Sequence, residues 1–290
     1  MRQSILLLVL ACFANAQTLH QRVLPLGDLY RQSFSSAPFP HPDRSNGRLY
    51  GGKTFSAAEH YSDSSVAIFV PKQFRQGKVT DLVIYFHGWY NNIDSACVQF
   101  SLLDQFAAAG KNAVFIFPEG PKDSPDSFGG RLESDSGLQR LVEDVLLYLK
   151  KEGRIRTTVP GRIVLAGHSG AYRVISYILL RGGLTKNIAD VILFDALYGQ
   201  TEKFAYWLDH SKGRFVNIYT DSGGTRQESE NLMADLDAWK MKYFAATETL
   251  TTEKDLRTNR ILFLHSDLEH NDVIGKRSQF LKFLRTGPLQ

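Results

Sequence analysis

The stretch GRIVLAGHSGAYRVISYILLRGG, residues 161–183, limits what this chain can fold into more than any other. Ile163, Val164, Leu165, Ala166 and Gly167 form an apolar run of the length of a buried strand, and Gly182-Gly183 closes an apolar helical segment that begins beyond Gly170. Between them, Gly167-His168-Ser169-Gly170-Ala171 has to turn sharply, with small residues around the serine. A strand that feeds a helix through so tight a corner belongs in an α/β sheet. It displays Ser169 where the first N–H groups of the following helix are free to meet a developing negative charge. A Gly/Ser turn also joins strand to helix in α/β proteins that carry out no chemistry, so the corner alone leaves a purely structural reading open.

The rest of the chain alternates in the same manner. Apolar runs at residues 65–71, 82–86, 113–117, 191–194, 215–220 and 261–264 read as further strands. Between them, Asp94 is expected to cap a helix carrying Val98, Leu102, Leu103 and Phe106 that stops at Gly110. Leu138, Leu141, Val142, Val145, Leu146 and Leu149 fall at i, i+3, i+4, i+7, i+8 and i+11, one apolar stripe. A short helix around residues 204–208, one over 228–244 and an amphipathic C-terminal helix through Phe280, Leu281 and Leu284 complete the pattern. The fold class this implies is α/β, a mostly parallel central sheet with helices on both faces. Residues 17–62, rich in Ser, Pro, Gly and His, read as an irregular lead-in with little helix, ahead of a domain spanning 63–290.

Residues 1–16, MRQSILLLVLACFANA, pair one basic residue with an apolar run and an Ala14-Asn15-Ala16 ending, the pattern of a secretory leader cleaved before Gln17. The run is shorter than the roughly 20 apolar residues of a membrane span. An exported protein, periplasmic or extracellular, is therefore expected, without stable membrane insertion; a lipoprotein anchored through Cys12 is the alternative. Loss of the leader leaves Cys97 alone, so no intrachain disulfide is expected. The formal net charge of +4, one less without Arg2, is too balanced to indicate a nucleic-acid partner.

Reactive groups in open α/β sheets gather where strands end at their carboxyl edge. His87-Gly88-Trp89 follows the run at 82–86, Asp195 follows 191–194, Asp221 follows 215–220, and His265 and His270 follow 261–264. The corner at Ser169 resembles the G-x-S-x-G nucleophile elbow of the α/β-hydrolase superfamily, with Ala171 in place of the last glycine, and the resemblance covers roughly residues 63–286. It implies Ser169 as nucleophile, His270 as base, and an acid found more often after the second strand beyond the elbow than after the first. Asp221 is thereby favoured, with Asp195 as the alternative acid. It also implies an oxyanion hole from Gly170 and from Trp89 or Gly88, with His87 positioning the donor. The order Ser169, acid, His270 is that of the superfamily. The mechanism this resemblance implies needs no metal or organic cofactor, and His265, Asp267 and His270 are not at a zinc-site spacing.

The substrate side is less informative. The polar loop at 118–131 and the residues Tyr90, His168 and Tyr198 are candidates for substrate binding, and they suggest a polar acyl or sugar-bearing substrate, small or carried on a polymer. The pattern is similar to secreted carboxylesterases of the feruloyl-esterase and polyhydroxyalkanoate-depolymerase type. The function expected is an exported serine hydrolase cleaving a carboxylic ester through an acyl-enzyme on Ser169. An amidase or peptidase acting on peptides or cell-wall material, and a binding protein of the same fold without catalysis, are the alternatives.

Overall fold

The computed structural model describes residues 18–290; the expected leader and Cys12 lie outside them. The strands, in chain order, are β1 (Gly27–Ser33), β2 (Arg48–Tyr50), β3 (Lys53–Phe55), β4 (Ser65–Pro71), β5 (Thr80–Phe86), β6 (Ala113–Pro118), β7 (Pro160–His168), β8 (Ile188–Phe194), β9 (Arg214–Thr220), β10 (Phe244–Thr247) and β11 (Ile261–Ser266). Nine of them form one sheet in the order β1-β4-β6-β5-β7-β8-β9-β11-β10, and β2 pairs with β3 as a separate hairpin. From β6 to β10 every pairing is parallel; β1 and β4 run antiparallel at one edge.

The sheet is covered on both faces, which is why its central strands read as unbroken apolar runs rather than alternating ones. One core layer gathers Leu141, Val145, Ile175, Leu193 and Phe215 among others; the opposite layer gathers Phe106, Phe115, Phe194, Phe280 and Phe283. The stripe expected on residues 138–149 lies on the helix Gly137–Lys151 and is buried throughout. Each such Leu or Val contributes about 1.5–3 kcal/mol relative to its exposed state. At the sheet's amino edge the buried guanidinium of Arg214, the first residue of β9, grips Asp190 at 2.6 Å. It also donates to the carbonyl of Phe283, which fastens the C-terminal helix Gln279–Thr286 to the strands.

Several boundaries differ from those expected. The lead-in contributes β1 to the sheet: its Gly-Asp-Leu-Tyr-Arg-Gln-Ser sequence has the half-buried pattern of an edge strand. The helix expected to start at Asp94 is capped by Asn92, and it is two helices, Ile93–Gln99 and Leu102–Ala109, parted at Ser101, whose φ is +48°. The helix expected over 228–244 is Arg226–Ala238; Lys240 turns at φ +56° and Phe244 opens β10 at the sheet edge. No helix among the described residues is long and apolar enough to cross a membrane.

Candidate active site

The carboxyl ends of β5, β7, β8 and β11 bring the candidate residues together. At the end of β7, Ser169 takes φ +54°, a conformation that costs a non-glycine residue about 1–3 kcal/mol and is held only where the surroundings enforce it. The corner is enforced by contact. A Cβ on Gly167 would lie 2.6 Å from the methyl of Ala171, so Gly167 and Ala171 fit together and the alanine is tolerated at the last motif position. From β5, Gly88 approaches so closely that a Cβ there would lie 2.5 Å from Ser169 Cβ. Any side chain at residue 88 would push the serine out of its corner.

The acid that meets His270 is Asp195. Its Oδ2 lies 2.6 Å from His270 Nδ1, so that nitrogen carries the proton and Nε2 is left as the basic one. Asp195 is fully buried at the end of β8, turned inward at φ +46°. Thr220 donates to it from both its backbone N–H, at 3.0 Å, and its hydroxyl, at 2.8 Å, and the Thr225 hydroxyl donates as well. Burial on its own would raise this carboxyl's pKa, but the bonds from His270, Thr225 and Thr220 outweigh it and hold the group below its usual range.

Asp221, favoured from strand order, does not reach His270. Successive residues of a strand face opposite ways, so with Thr220 turned into the sheet end, Asp221 points out, and it pairs with Arg226 at 2.7 Å and with His265 at 3.1 Å. The three residues weighed as a metal set go three ways: His265 to Asp221, Asp267 to Arg277 and His270 to Asp195. Among the described residues no group of three or more His, Cys, Asp or Glu is placed to hold a metal ion.

His168, expected to bind substrate, is instead buried against His270, with its Nε2 2.9 Å from the backbone oxygen of His270 and its ring 4.5 Å from the His270 ring. Burial, helped by the charge of the neighbouring His270, lowers its pKa to about 4, so it stays neutral and its Nε2–H donates. His87 is likewise buried under the Gly88 turn. Its Nδ1 donates to the Gly88 carbonyl at 2.7 Å, and its Nε2 sits between Glu119 Oε1 at 3.0 Å and the Gly120 N–H at 3.1 Å. Burial opposes protonation of this imidazole, while the Glu119 carboxylate beside it favours protonation and the net shift of its pKa is upward.

A cavity of about 390 Å³ opens above the serine, lined by Trp89, Ser127, Ser169, Gly170, Tyr172 and Tyr198. Of the three residues expected to bind substrate, Tyr198 alone lines it; Tyr90 stands on the rim, exposed, its ring 6.5 Å from that of Trp89. The Trp89 indole N–H donates to Ser127 Oγ at 2.8 Å, and its ring meets Tyr50 of the lead-in edge-on at 5.2 Å.

Nothing in the sequence marks Tyr50, Thr220 or Thr225 for the site, and Ser127 is marked only as one residue of the polar loop at 118–131. Ser127 owes its place to Asp126, whose buried carboxylate is clamped by Arg44 at 2.6 Å and Arg48 at 2.5 Å and receives the Phe128 N–H at 3.0 Å. The only sequence signal was an aspartate within the long loop, with two arginines in the lead-in.

No family model matches this chain, and no curated protein does. Among solved structures, it is similar to the feruloyl esterase module from Clostridium thermocellum complexed with sinapinate, at 12% identity and a TM-score of 0.53 over 90% of this chain and 88% of that one. It is also similar to the substrate-bound fluorophosphonate-binding serine hydrolase F of Staphylococcus aureus, at 9% identity and a TM-score of 0.52 over 91% of this chain and 100% of that one. A ferulic acid esterase matches at 14% identity and a TM-score of 0.50, over 76% and 91%. The shared feature at such identities is the fold: this chain has the α/β-hydrolase fold.

Proposed function

We propose that the protein is an exported serine hydrolase that cleaves a carboxylic ester through an acyl-enzyme on Ser169. The observation that carries this reading is the buried Asp195–His270 pair, formed at 2.6 Å at the same sheet edge as the strained Ser169 turn. Asp195 holds the Nδ1–H tautomer and stabilises the imidazolium. His270 Nε2 takes the hydroxyl proton as Ser169 Oγ attacks the carbonyl carbon, then gives that proton to the leaving group; water repeats the cycle to free the acid. The negative charge that develops on the carbonyl oxygen is met by the backbone N–H groups of Gly170 and Trp89, which follow the serine and the Gly88 approach. His168 and His87 touch no substrate in this scheme. They fix, respectively, the backbone that carries the base and the turn that carries an oxyanion donor.

That its structural neighbours are esterases and serine hydrolases supports acyl transfer, and the mixed polar and aromatic lining of the cavity supports a polar acyl substrate, small or polymer-borne. The test is a fluorophosphonate probe with mapping of the adduct. Labelling at Ser169 that is lost in Ser169→Ala, together with hydrolysis of short acyl esters, is the expected result. A folded protein that takes no label would replace the enzyme reading with that of a binding protein on the same fold.

A further inference from the structure

Tyr198 lies three residues after Asp195, on the connection from β8 to the helix Thr201–His210. Its ring meets His270 edge-on at 6.2 Å and Tyr172 at 6.0 Å, and it forms one wall of the cavity above Ser169. A phenol has one proton to donate. Here that proton is committed, because the Tyr198 hydroxyl donates to the backbone carbonyl of Gly223 in the loop after β9. Burial and the nearby Asp195 charge push its pKa up to about 12, so the proton stays in place at any ordinary working pH. With its proton held by Gly223, the oxygen has lone pairs alone to offer the cavity that Tyr198 lines.

The cavity above Ser169 is lined by Trp89, Gly170 and Ser127 together with Tyr198, whose oxygen accepts without donating. His270 has to pass its proton to the leaving group, so the leaving group departs on the His270 side, where Tyr198 packs.

We propose that Tyr198 is the specificity-determining residue of this site, its acceptor-only oxygen selecting acyl substrates whose leaving group carries a hydrogen-bond donor beside the scissile bond. That donor is the N–H of an amide or a hydroxyl on the carbon next to the ester oxygen. The inference rests on the acyl-enzyme reading of Ser169. A substrate that brings such a donor gains a hydrogen bond to Tyr198, and one that lacks it leaves this acceptor without a partner from the substrate. The balance is simple: the Ser169 proton travels through His270 Nε2 to the departing heteroatom, and the substrate's own donor proton is shared with Tyr198 without being transferred.

The experiment compares the unaltered protein with Tyr198→Phe on three butyryl substrates: phenyl butyrate, which has no donor, 2-hydroxyethyl butyrate and butyranilide. Phenylalanine keeps the ring against His270 and Tyr172 and removes the oxygen. Every kcat/KM is referred to active sites titrated with the fluorophosphonate, so a partly misfolded preparation cancels. Phenyl butyrate is expected to stay within about threefold, and a donor-bearing substrate to fall by about tenfold or more. A fall confined to the hydroxyester assigns the donor to a neighbouring hydroxyl, and one confined to the anilide assigns it to an amide. Equal falls on all three substrates, or no fall on any, would overturn the selection. An unaltered protein that neither labels nor hydrolyses would overturn the acyl-enzyme reading, and this inference with it.

Discussion

Two aspartate–histidine pairs stand side by side at the carboxyl edge of this sheet, and the sequence offers no reason to rank them as the structure does. In the first, Asp195 is fully covered and His270 is 26% exposed in its side chain; in the second, Asp221 and His265 are 61% and 32% exposed. Asp195 accepts from three residues besides being shielded, and the loss of any one leaves a buried carboxylate under-bonded. Asp221 shares its charge with Arg226 in open solvent, where screening makes ion pairs weak. The difference teaches that what sets the candidate dyad apart is burial and surplus donors, not an acid and an imidazole being neighbours.

The sharpest way to break this comparison is to exchange the acids for amides. Asp195→Asn should lower kcat about 10³–10⁴-fold, because the amide favours the wrong His270 tautomer and cannot stabilise the imidazolium, with little change in folding. Steady-state hydrolysis of a short acyl ester measures it. Retention of more than a tenth of the activity would mean that some other group serves as the acid.

Much of this arrangement was legible in advance. The central strands are legible because burial on both faces makes them continuous apolar runs, and the turn at Ser169 is legible because only small residues can surround so tight a corner. The edge strands β1 and β10 are not: β1 is only partly covered, and the burial of β10 alternates along Phe-Ala-Ala-Thr. The break after Ala238 was hidden too, because nothing in a lysine at 240 announces a left-handed turn. The choice between Asp195 and Asp221 depended on which way the last residue of β9 faces. That is fixed by the bonds that the Thr220 backbone and hydroxyl make to Asp195, 25 residues away.

Stability offers a second separation. His168 has a folded-state pKa of about 4 against an ordinary value of 6.5, so the unfolded chain binds a proton that the folded chain refuses. The corresponding stability is fully present above pH ~6.5 and is lost as the pH falls toward 4, a total of roughly 3 kcal/mol by linkage. Urea unfolding across that window should be steeper in pH for the unaltered protein than for His168→Gln. Equal slopes would show that the imidazole is protonated in place.

Within the first pair, Thr225→Val removes one donor from the buried carboxylate. The donor favours the ionised form, so its loss raises the Asp195 pKa, and kcat/KM should fall by roughly tenfold as the buried carboxylate holds His270 less well. Thr225→Ser, which returns the hydroxyl, should recover the rate; no recovery would assign the threonine to packing alone.

The smallest effect belongs to the second pair, and its smallness is the point. His265 is only five residues from His270, yet His270 is held by contacts that do not pass through His265: Asp195 on its ring, His168 on its carbonyl, and the Ser222 hydroxyl on Glu269 beside it at 2.9 Å. His265→Gln and Asp221→Asn should therefore leave kcat/KM within about twofold, since an exposed pair is screened and its loss leaves no buried charge uncompensated. A tenfold loss from either substitution, measured beside Asp195→Asn, would mean that the two pairs are coupled through the loop after β11 and that burial does not divide them.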